Sequence, residues 1–341
     1  MIGNAVVDIW QAEGVKPILK YEDDLKIFRY PVASGAFHYE DFSYDYDREE
    51  ALSRISRLRV PWHKEKGDLF FSYITNFIGF RWDLPGKLVS LPEEKRLKFH
   101  NRVHIFLDRF TGHRCSLLDV QKIHGSLCHV AFVYTQGRSR LPSMSNFISS
   151  FMDNEFILRY PPQSMMSDLR WWLHTLNDST FYRKLPPHSP CQDMGLFIDA
   201  STSWGIGIVV AGKWRAFRLC QGWKVEGRDI CWLETVAVEV LVYILEAMEV
   251  ANTTLLIHSD NQGTIGSIGK GRSRNFHINL SIRRIYVVLA SHFIIPELAY
   301  VASENNPADP LSRGELGSPD SRITVSFSLP DELRHVLLDA S

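Results

Sequence analysis

The sequence lacks any uninterrupted apolar run of about 18 residues, so no membrane span is predicted. Its first twenty residues also lack a basic start followed by an apolar stretch, which excludes a recognisable secretory signal there. The five cysteines include no Cys-x-x-Cys pair, and their odd number argues against a disulfide framework or a zinc ribbon. We therefore expect an intracellular protein with reduced cysteines, either cytoplasmic or nuclear, that does not contact membranes.

Net charge is almost absent as well. Lysine and arginine number 38 against 39 acidic residues, so a surface for nucleic acid would have to arise from local clustering of basic residues. A chain of 341 residues is long for a single hydrophobic core. Two or three domains are therefore expected.

The first half of the chain reads as a short β-rich part followed by helices. Residues 31–50 are acidic and aromatic without periodicity, which indicates a surface insertion, and residues 48–60 return to helical spacing. The stretch 75–91 predicts two β-rich arms around Pro85-Gly86. A helix is predicted from Pro92, because proline suits the first helical turn, and two further helical stretches are predicted at 116–135 and 143–177.

A proline-rich segment at 183–193 predicts a linker, and the pattern after it changes to α/β. Three consecutive strands followed by alternating helices and strands predict a mixed sheet with helices against its faces. The expected strands are 194–200, 205–210, 213–219, 255–259 and 294–301, and the expected helices are 232–250, 261–268 and 275–291. Residues 316–341 read as a tail.

Four carboxylates of this second half fall at element ends. Asp199 and Asp260 each end an apolar strand, Glu234 lies in the first turn of a predicted helix, and Asp309 lies at a short helix start. A carboxylate directly after a buried strand lies at the carboxyl edge of the sheet, where α/β proteins build sites. Converging carboxylates are suitable ligands for two Mg²⁺ ions, with Mn²⁺ as a possible substitute.

Glu239 competes with Glu234 for this role on the same helix. Five residues at about 100° each place the two side chains about 140° apart, so both cannot face the same metal ions. Glu234 is preferred because it is nearer the helix start and borders the sheet edge.

The order of these motifs resembles the ribonuclease H domain of retroelement polyproteins. The matching pieces are Asp-Ala-Ser after a strand, Glu-x-x-Ala-Val on a helix, Ser-Asp-Asn-Gln after a strand, and "NNPADPLSR". By the resemblance, Asp199, Glu234, Asp260 and Asp309 are the metal-binding catalytic acids of an endonuclease that cleaves the RNA strand of RNA–DNA hybrids. One departure is that no histidine precedes Asp309 in "YVASENNPAD", where many such enzymes carry one.

The first half is similar to the preceding part of the same polyproteins. "KYEDDL" resembles the palm turn of a reverse transcriptase, with Tyr21, Asp23 and Asp24 as its polymerase-site residues. Residues 76–99 resemble the hairpin and helix that grip the primer, and residues 122–141 resemble the thumb. Because the aspartate of an earlier strand and the fingers have no counterpart in this chain, these three residues are interpreted as a remnant polymerase site.

The resemblance covers about residues 5–315 and implies the following organisation. The fold class is α/β, a ribonuclease H-like mixed sheet flanked by helices, preceded by a partial reverse-transcriptase palm and an α-helical thumb-like region. The expected segments are a palm with its hairpin at 1–90, a helical thumb or connection at 91–182, the linker at 183–193, the ribonuclease H-like domain at 194–315, and the tail at 316–341.

A basic run follows the Asp260 strand and is the candidate for phosphate contact. On sequence alone such a run is slightly more often a solvated helix face, and its position next to the acids favours phosphate contact. Asn261, which follows Asp260, and Asn305, which stands four residues before Asp309 as in the resembling motif, are included. The predicted nucleic-acid-binding residues are Lys270, Arg272, Arg274, Arg283, Arg284, Asn261 and Asn305.

Three functions remain open from the sequence. The first is the magnesium-dependent endonuclease just described. The second is a non-catalytic nucleic-acid-binding or scaffold subunit that retains the acids. The third is one part of a split RNA-directed DNA polymerase, in which a partner polypeptide supplies the missing fingers.

Overall fold

A computed structural model describes residues 2–22, 24–32, 42–60, 67–68, 70–152, 154–185 and 190–340. These residues form a mixed α/β protein. The α-helices in this part of the chain are α1 (Ile2–Ala12), α2 (Arg48–Arg54), α3 (Glu93–Phe110), α4 (Leu117–Val130), α5 (Pro142–Ser150), α6 (Gln163–Asn177), α7 (Ile230–Ala247), α8 (Gln262–Lys270), α9 (Phe276–Ser291), α10 (Asp309–Ser312) and α11 (Asp331–Arg334).

The strands in the same residues form four separate sheets. They are β1 (Ile18–Tyr21), β2 (Asp24–Ile27), β3 (Ile74–Phe77), β4 (Phe80–Asp83), β5 (Leu88–Ser90), β6 (Cys115–Ser116), β7 (Leu158–Arg159), β8 (Arg183–Lys184), β9 (Gln192–Ala200), β10 (Gly205–Val210), β11 (Lys213–Leu219), β12 (Thr253–Ser259), β13 (Ile294–Tyr300) and β14 (Leu337–Asp339). The chain divides into two compact units, one of residues 1–96 and 179–185, the other of residues 97–178 and 186–341.

The first unit contains the β1–β2 hairpin and a four-stranded antiparallel sheet in the order β3-β4-β5-β8. The stretch predicted to form one hairpin around Pro85-Gly86 forms three strands. An additional tight turn at Ile78-Gly79 divides the first arm, and both turn residues have positive φ (46° and 86°), which suits a two-residue hairpin loop. Of the predicted insertion at 31–50, residues 33–41 lie outside the described part.

In the second unit, helices α4 to α6 belong with the α/β residues that follow them. The predicted helical stretch 143–177 is two helices, because Pro161-Pro162 ends the intervening loop and precedes α6. Asp168 on α6 is buried and accepts hydrogen bonds from Arg140 and from Arg283 on α9. The helical region expected to be a separate domain at 91–182 is therefore joined, from residue 97 to residue 178, to the α/β part of the chain.

The main sheet has six strands in the order β13-β12-β9-β10-β11-β14. Strand β12 runs parallel to both β9 and β13, whereas β10 and β11 are antiparallel to their neighbours. Helix α7 is buried along almost its whole length and packs with the inward residues of β9 and β10 in the core. The alternate residues of β9, β10 and β11, including Phe197, Val209 and Ala216, pack with Ala308 and Leu311 in a second apolar cluster.

Residues 316–341 do not form a tail. Strand β14 pairs antiparallel with β11 and completes the edge of the sheet. Ile323, Leu333 and Val336 are buried in the core, and Arg215 on β11 forms a bidentate ion pair with Asp339. The predicted linker also differs, since Arg183–Lys184 pairs with β5 and β9 begins at Gln192, with residues 186–189 outside the described part.

Gly207 allows α10 to lie directly on the sheet. It is paired with Asp199 in the sheet, and a Cβ atom placed on it would meet the Ala308 carbonyl and lie 2.7 Å from the Leu311 Cβ. We expect Gly207→Ala to destabilise the protein by about 1–3 kcal/mol, because backbone and buried atoms would have to shift. Urea unfolding followed by tryptophan fluorescence measures this difference.

Gly266→Ala in α8 is the matched control, because no atom other than its chain neighbours and the adjacent backbone of its own helix lies within 4 Å of the added Cβ. Alanine is favoured over glycine within a helix by about 1 kcal/mol, so this variant should be as stable as the parent or more stable. Equal unfolding midpoints for Gly207→Ala and the parent would contradict the close contact between α10 and β10.

Candidate metal centre

Three elements of the second unit bring carboxylates to one edge of the main sheet. Asp199 is the penultimate residue of β9, and Asp260 follows the last residue of β12. Because β9 and β12 run parallel, both side chains emerge at the same edge. Glu234 lies near the start of α7, whose first turn is capped by the Asp229 side chain accepting from the Trp232 N–H at 2.9 Å.

These three carboxylates converge. One oxygen from each of Asp199, Glu234 and Asp260 lies within 4.8 Å of the others. Asp199 and Glu234 are buried, whereas Asp260 is half-buried. The arrangement brings three acidic groups together, with Asp260 as the member most accessible to solvent.

Burial and the neighbouring negative charges raise the pKa values of Glu234 and Asp199. Burial raises the pKa of Glu234 to about 9, and the charges of Asp199 and Asp260 act in the same direction. Burial likewise raises the pKa of Asp199 to about 6, assisted by Asp260 and Asp309. Without a cation, Glu234 therefore retains its proton at neutral pH.

The loop between β13 and α10 orients two of the three acids. Ser303 Oγ donates to Asp260 Oδ2 at 2.6 Å. Asn306 is buried and donates through Nδ2 to the Ile198 carbonyl at 2.9 Å and to Asp199 Oδ1 at 3.4 Å. Its own Oδ1 accepts from the Ala308 N–H at 3.1 Å, which fixes the amide orientation.

Sequence reasoning selected Asn305, and the structure brings its neighbour Asn306 to the acids instead. Asn305 is exposed at the end of a short 3-10 turn. The missed signal is Asn306-Pro307, because an asparagine side chain commonly accepts from the N–H two residues on in such turns. Ser303 was also missed, and no pattern in the sequence distinguishes it from other loop serines.

The fourth predicted acid, Asp309, does not join the other three within this cluster. Arg313 holds both of its oxygens, with Nε 2.9 Å from Oδ2 and Nη2 2.8 Å from Oδ1. This pairing keeps the pKa of Asp309 below its usual range. Asp309 still contributes to the electrostatic field at Asp199.

Glu239, the alternative to Glu234 on α7, belongs to a different network. It is fully buried, accepts from the Tyr243 hydroxyl at 2.9 Å, and forms a bidentate pair with Arg284. Its charge is therefore compensated inside the protein. The structure brings Glu234, and not Glu239, to the acidic cluster.

The predicted phosphate-contacting residues separate into two groups. Lys270, Arg272 and Arg274 are exposed around the end of α8 and the turn that precedes α9. Arg283 and Arg284 require correction, because their guanidinium groups are bound to the buried acids Asp168 and Glu239. A buried carboxylate needs its cation, so these two arginines serve packing between elements of the unit.

The remaining predicted residues are Asn261 and the three residues of the remnant polymerase site. Asn261 caps α8, its Oδ1 accepting from the Thr264 N–H at 2.9 Å. Of the remnant polymerase residues, Tyr21 pairs with Asp24 across the β1–β2 turn, and Asp23 lies outside the described residues. These belong to the first unit.

The residues of the cluster fit a divalent metal ion. Glu234 Oε2 is buried and has no hydrogen-bond partner among the described residues. A buried carboxylate oxygen without a donor is costly, and a cation would satisfy it. The donor set is three hard oxygens, which is the chemistry that Mg²⁺ and Mn²⁺ prefer.

Comparison with known proteins identifies no relative: no protein-family model matches the chain, and no curated protein matches it by sequence. None of the helices in the described residues has the length and hydropathy that a membrane crossing requires.

Proposed function

We propose that this chain is a divalent-metal-dependent nuclease of the ribonuclease H type, which hydrolyses the RNA strand of RNA–DNA hybrids. The observation that carries the proposal is the convergence of the Asp199, Glu234 and Asp260 carboxylates, together with a buried Glu234 Oε2 that has no hydrogen-bond partner among the described residues. Buried acids with raised pKa values at a sheet edge are characteristic of functional sites.

The description of the main sheet as ribonuclease H-like is part of this proposal. It is supported by three consecutive antiparallel strands, β9 to β11, followed by a helix and the parallel strands β12 and β13. The motif order that resembles retroelement ribonuclease H supports it independently. The relationship of the preceding residues to a reverse-transcriptase palm and thumb is proposed on the β1–β2 hairpin and helices α3 to α6.

Asp199, Glu234 and Asp260 would hold the metal. Bound Mg²⁺ would supply Lewis acidity, which makes a water more nucleophilic and stabilises charge on the departing oxygen of a phosphodiester. The protein residues must deliver deprotonated oxygens, so Glu234 would release its carboxyl proton on loading. Asn306 and Ser303 would hold Asp199 and Asp260 in place.

Exposed cations lie at the end of α8, the helix that follows the Asp260 strand, and in the turn before α9. Arg272 lies close enough to His124 on α4 to lower the pKa of this histidine, an effect secondary to burial. The exposed group of Lys270, Arg272 and Arg274 is the proposed contact with phosphates. Recognition of a hybrid would use its backbone and the 2′-hydroxyls in its wide minor groove.

The experiment is an assay of purified protein on an end-labelled RNA–DNA hybrid, with Mg²⁺ or with chelator. Single-stranded RNA and duplex DNA of the same sequence are the controls. We expect cleavage of the RNA strand of the hybrid alone, and its loss with chelator. Cleavage that persists in chelator would contradict a metal-dependent site.

Other outcomes would favour the other two functions. Tight binding of the hybrid with no cut under Mg²⁺ or Mn²⁺ would favour a non-catalytic binding subunit. Template-directed DNA extension that appears only when a partner polypeptide with polymerase fingers is added would favour a split polymerase.

A further inference from the structure

We propose that the guanidinium group of Arg313, by binding both carboxylate oxygens of Asp309, competes with a second divalent metal ion for that carboxylate. The inference rests on the proposed function, because it concerns the same metal site. It assigns to Arg313 a positioning role, since it acts on the metal through Asp309.

Both carboxylate oxygens of Asp309 are already bound by Arg313. Nε and Nη2 of Arg313 lie 2.9 and 2.8 Å from the two Asp309 oxygens, so the guanidinium occupies both. A bidentate arginine pair is among the stronger hydrogen-bonded arrangements available to a carboxylate. With both oxygens held, Asp309 offers its ligand atoms to a cation only when Arg313 moves.

The ion pair between Arg313 and Asp309 is exposed to solvent, so the Arg313 side chain can move away from Asp309. The Arg313 side chain is 60% exposed and that of Asp309 is 21% exposed. An ion pair in contact with water is weak, because solvent and salt screen it. In contrast, Asp199 and Glu234 are buried and held by α7 and β9, so their positions do not depend on Arg313.

The positive charge of Arg313 also acts on the neighbouring acids of the metal centre. Its guanidinium lies close enough to Asp199 and Asp260 for both to raise its pKa, an effect smaller than that of Asp309 itself. A positive group near these acids would repel a second divalent ion. We therefore infer that, without nucleic acid, the chain holds one ion tightly at the three-carboxylate cluster and a second one weakly.

Binding of Mn²⁺ to the nucleic-acid-free protein tests this inference without measuring activity. Electron paramagnetic resonance titration reports free Mn²⁺ and gives the number and affinity of the sites. We expect Arg313→Gln to tighten the weaker site about two- to fivefold, the range that an exposed ion pair allows. Adding Asp309→Asn to Arg313→Gln should abolish that gain.

Arg334→Gln is the matched control. Arg334 is 58% exposed and pairs with Asp331 three residues away, far along the chain from the acids. The Arg334→Gln variant loses the same charge from a similar surface ion pair, so its Mn²⁺ binding isotherm should equal that of the parent. Circular dichroism in chelator checks folding, and if Arg313→Gln fails to fold, Arg313→Lys is expected to give a smaller tightening.

The failure of this inference differs from the failure of the proposed function. Identical isotherms for the parent, Arg313→Gln and Arg313→Lys, each with a site lost in Asp260→Asn, would overturn only the role of Arg313. Absence of any Asp260-dependent Mn²⁺ site in the parent would overturn the metal centre and the inference together.

Discussion

Asp260→Asn is expected to lower metal-dependent cleavage of the RNA strand at least about a thousandfold while leaving the chain folded. Asparagine has nearly the same shape as aspartate and retains an oxygen that can accept the Ser303 hydroxyl. The variant removes one negative charge from three carboxylates that share a site within 4.8 Å. Because Asp260 is the least buried of the three, its replacement leaves the core unchanged.

Two measurements check this result together. Single-turnover cleavage of the labelled hybrid gives the rate, and a Mn²⁺ titration gives the affinity of the site. Asp320→Asn is the control. Asp320 is exposed in the 319–321 turn, so this substitution removes the same charge outside the acidic cluster. A rate for Asp260→Asn within about threefold of the parent would eliminate the proposed metal centre.

The α/β part of the fold could be predicted because its strands are apolar runs ended by turns. Strands β9 to β13 each begin within two residues of the expected positions. A sheet with parallel neighbours then brings the residues after its strands to one edge, so Asp199 and Asp260 could be placed together before any geometry was known. The period of the α-helix likewise showed that Glu234 and Glu239 face different directions, so only one of them could join the acids.

Features that depend on distant partners could not be predicted. Arg215 meets Asp339 across 124 residues, and a three-residue strand such as β14 has no periodicity to detect. Arg283 and Arg284 look like a solvated basic face in the sequence, yet the buried acids that bind them are 115 and 45 positions away. Local pattern reveals which residues are charged and leaves their partners undetermined.

Raising the pH is expected to destabilise the metal-free protein through Glu234. The folded-state pKa of this carboxyl is about 9 and its ordinary value is 4.5, so between these values the folded chain holds a proton that the unfolded chain has released. The free energy of unfolding therefore falls as pH rises, by about 1.4 kcal/mol per pH unit from one such proton. The stabilisation is complete below about pH 4.5 and is lost by about pH 9.

Glu234→Gln isolates this contribution, because glutamine does not titrate. Urea unfolding in chelator at pH 5.5, 7 and 8.5 should show the stability of the parent falling relative to Glu234→Gln. Glu226→Gln, which changes an exposed glutamate between β11 and α7, is the control and should give no pH-dependent difference. A constant difference between the parent and Glu234→Gln across this range would contradict the raised pKa.

Mg²⁺ should counteract the loss of stability that rising pH causes in the parent protein. Binding of the ion requires a deprotonated Glu234, so protons and metal compete for the same oxygens. The stabilisation by Mg²⁺ should therefore increase from pH 5.5 to pH 8.5 in the parent and be nearly absent in Glu234→Gln. Stabilisation that is equal at all three pH values would place the ion away from the Asp199–Glu234–Asp260 cluster, whatever nuclease activity the protein showed.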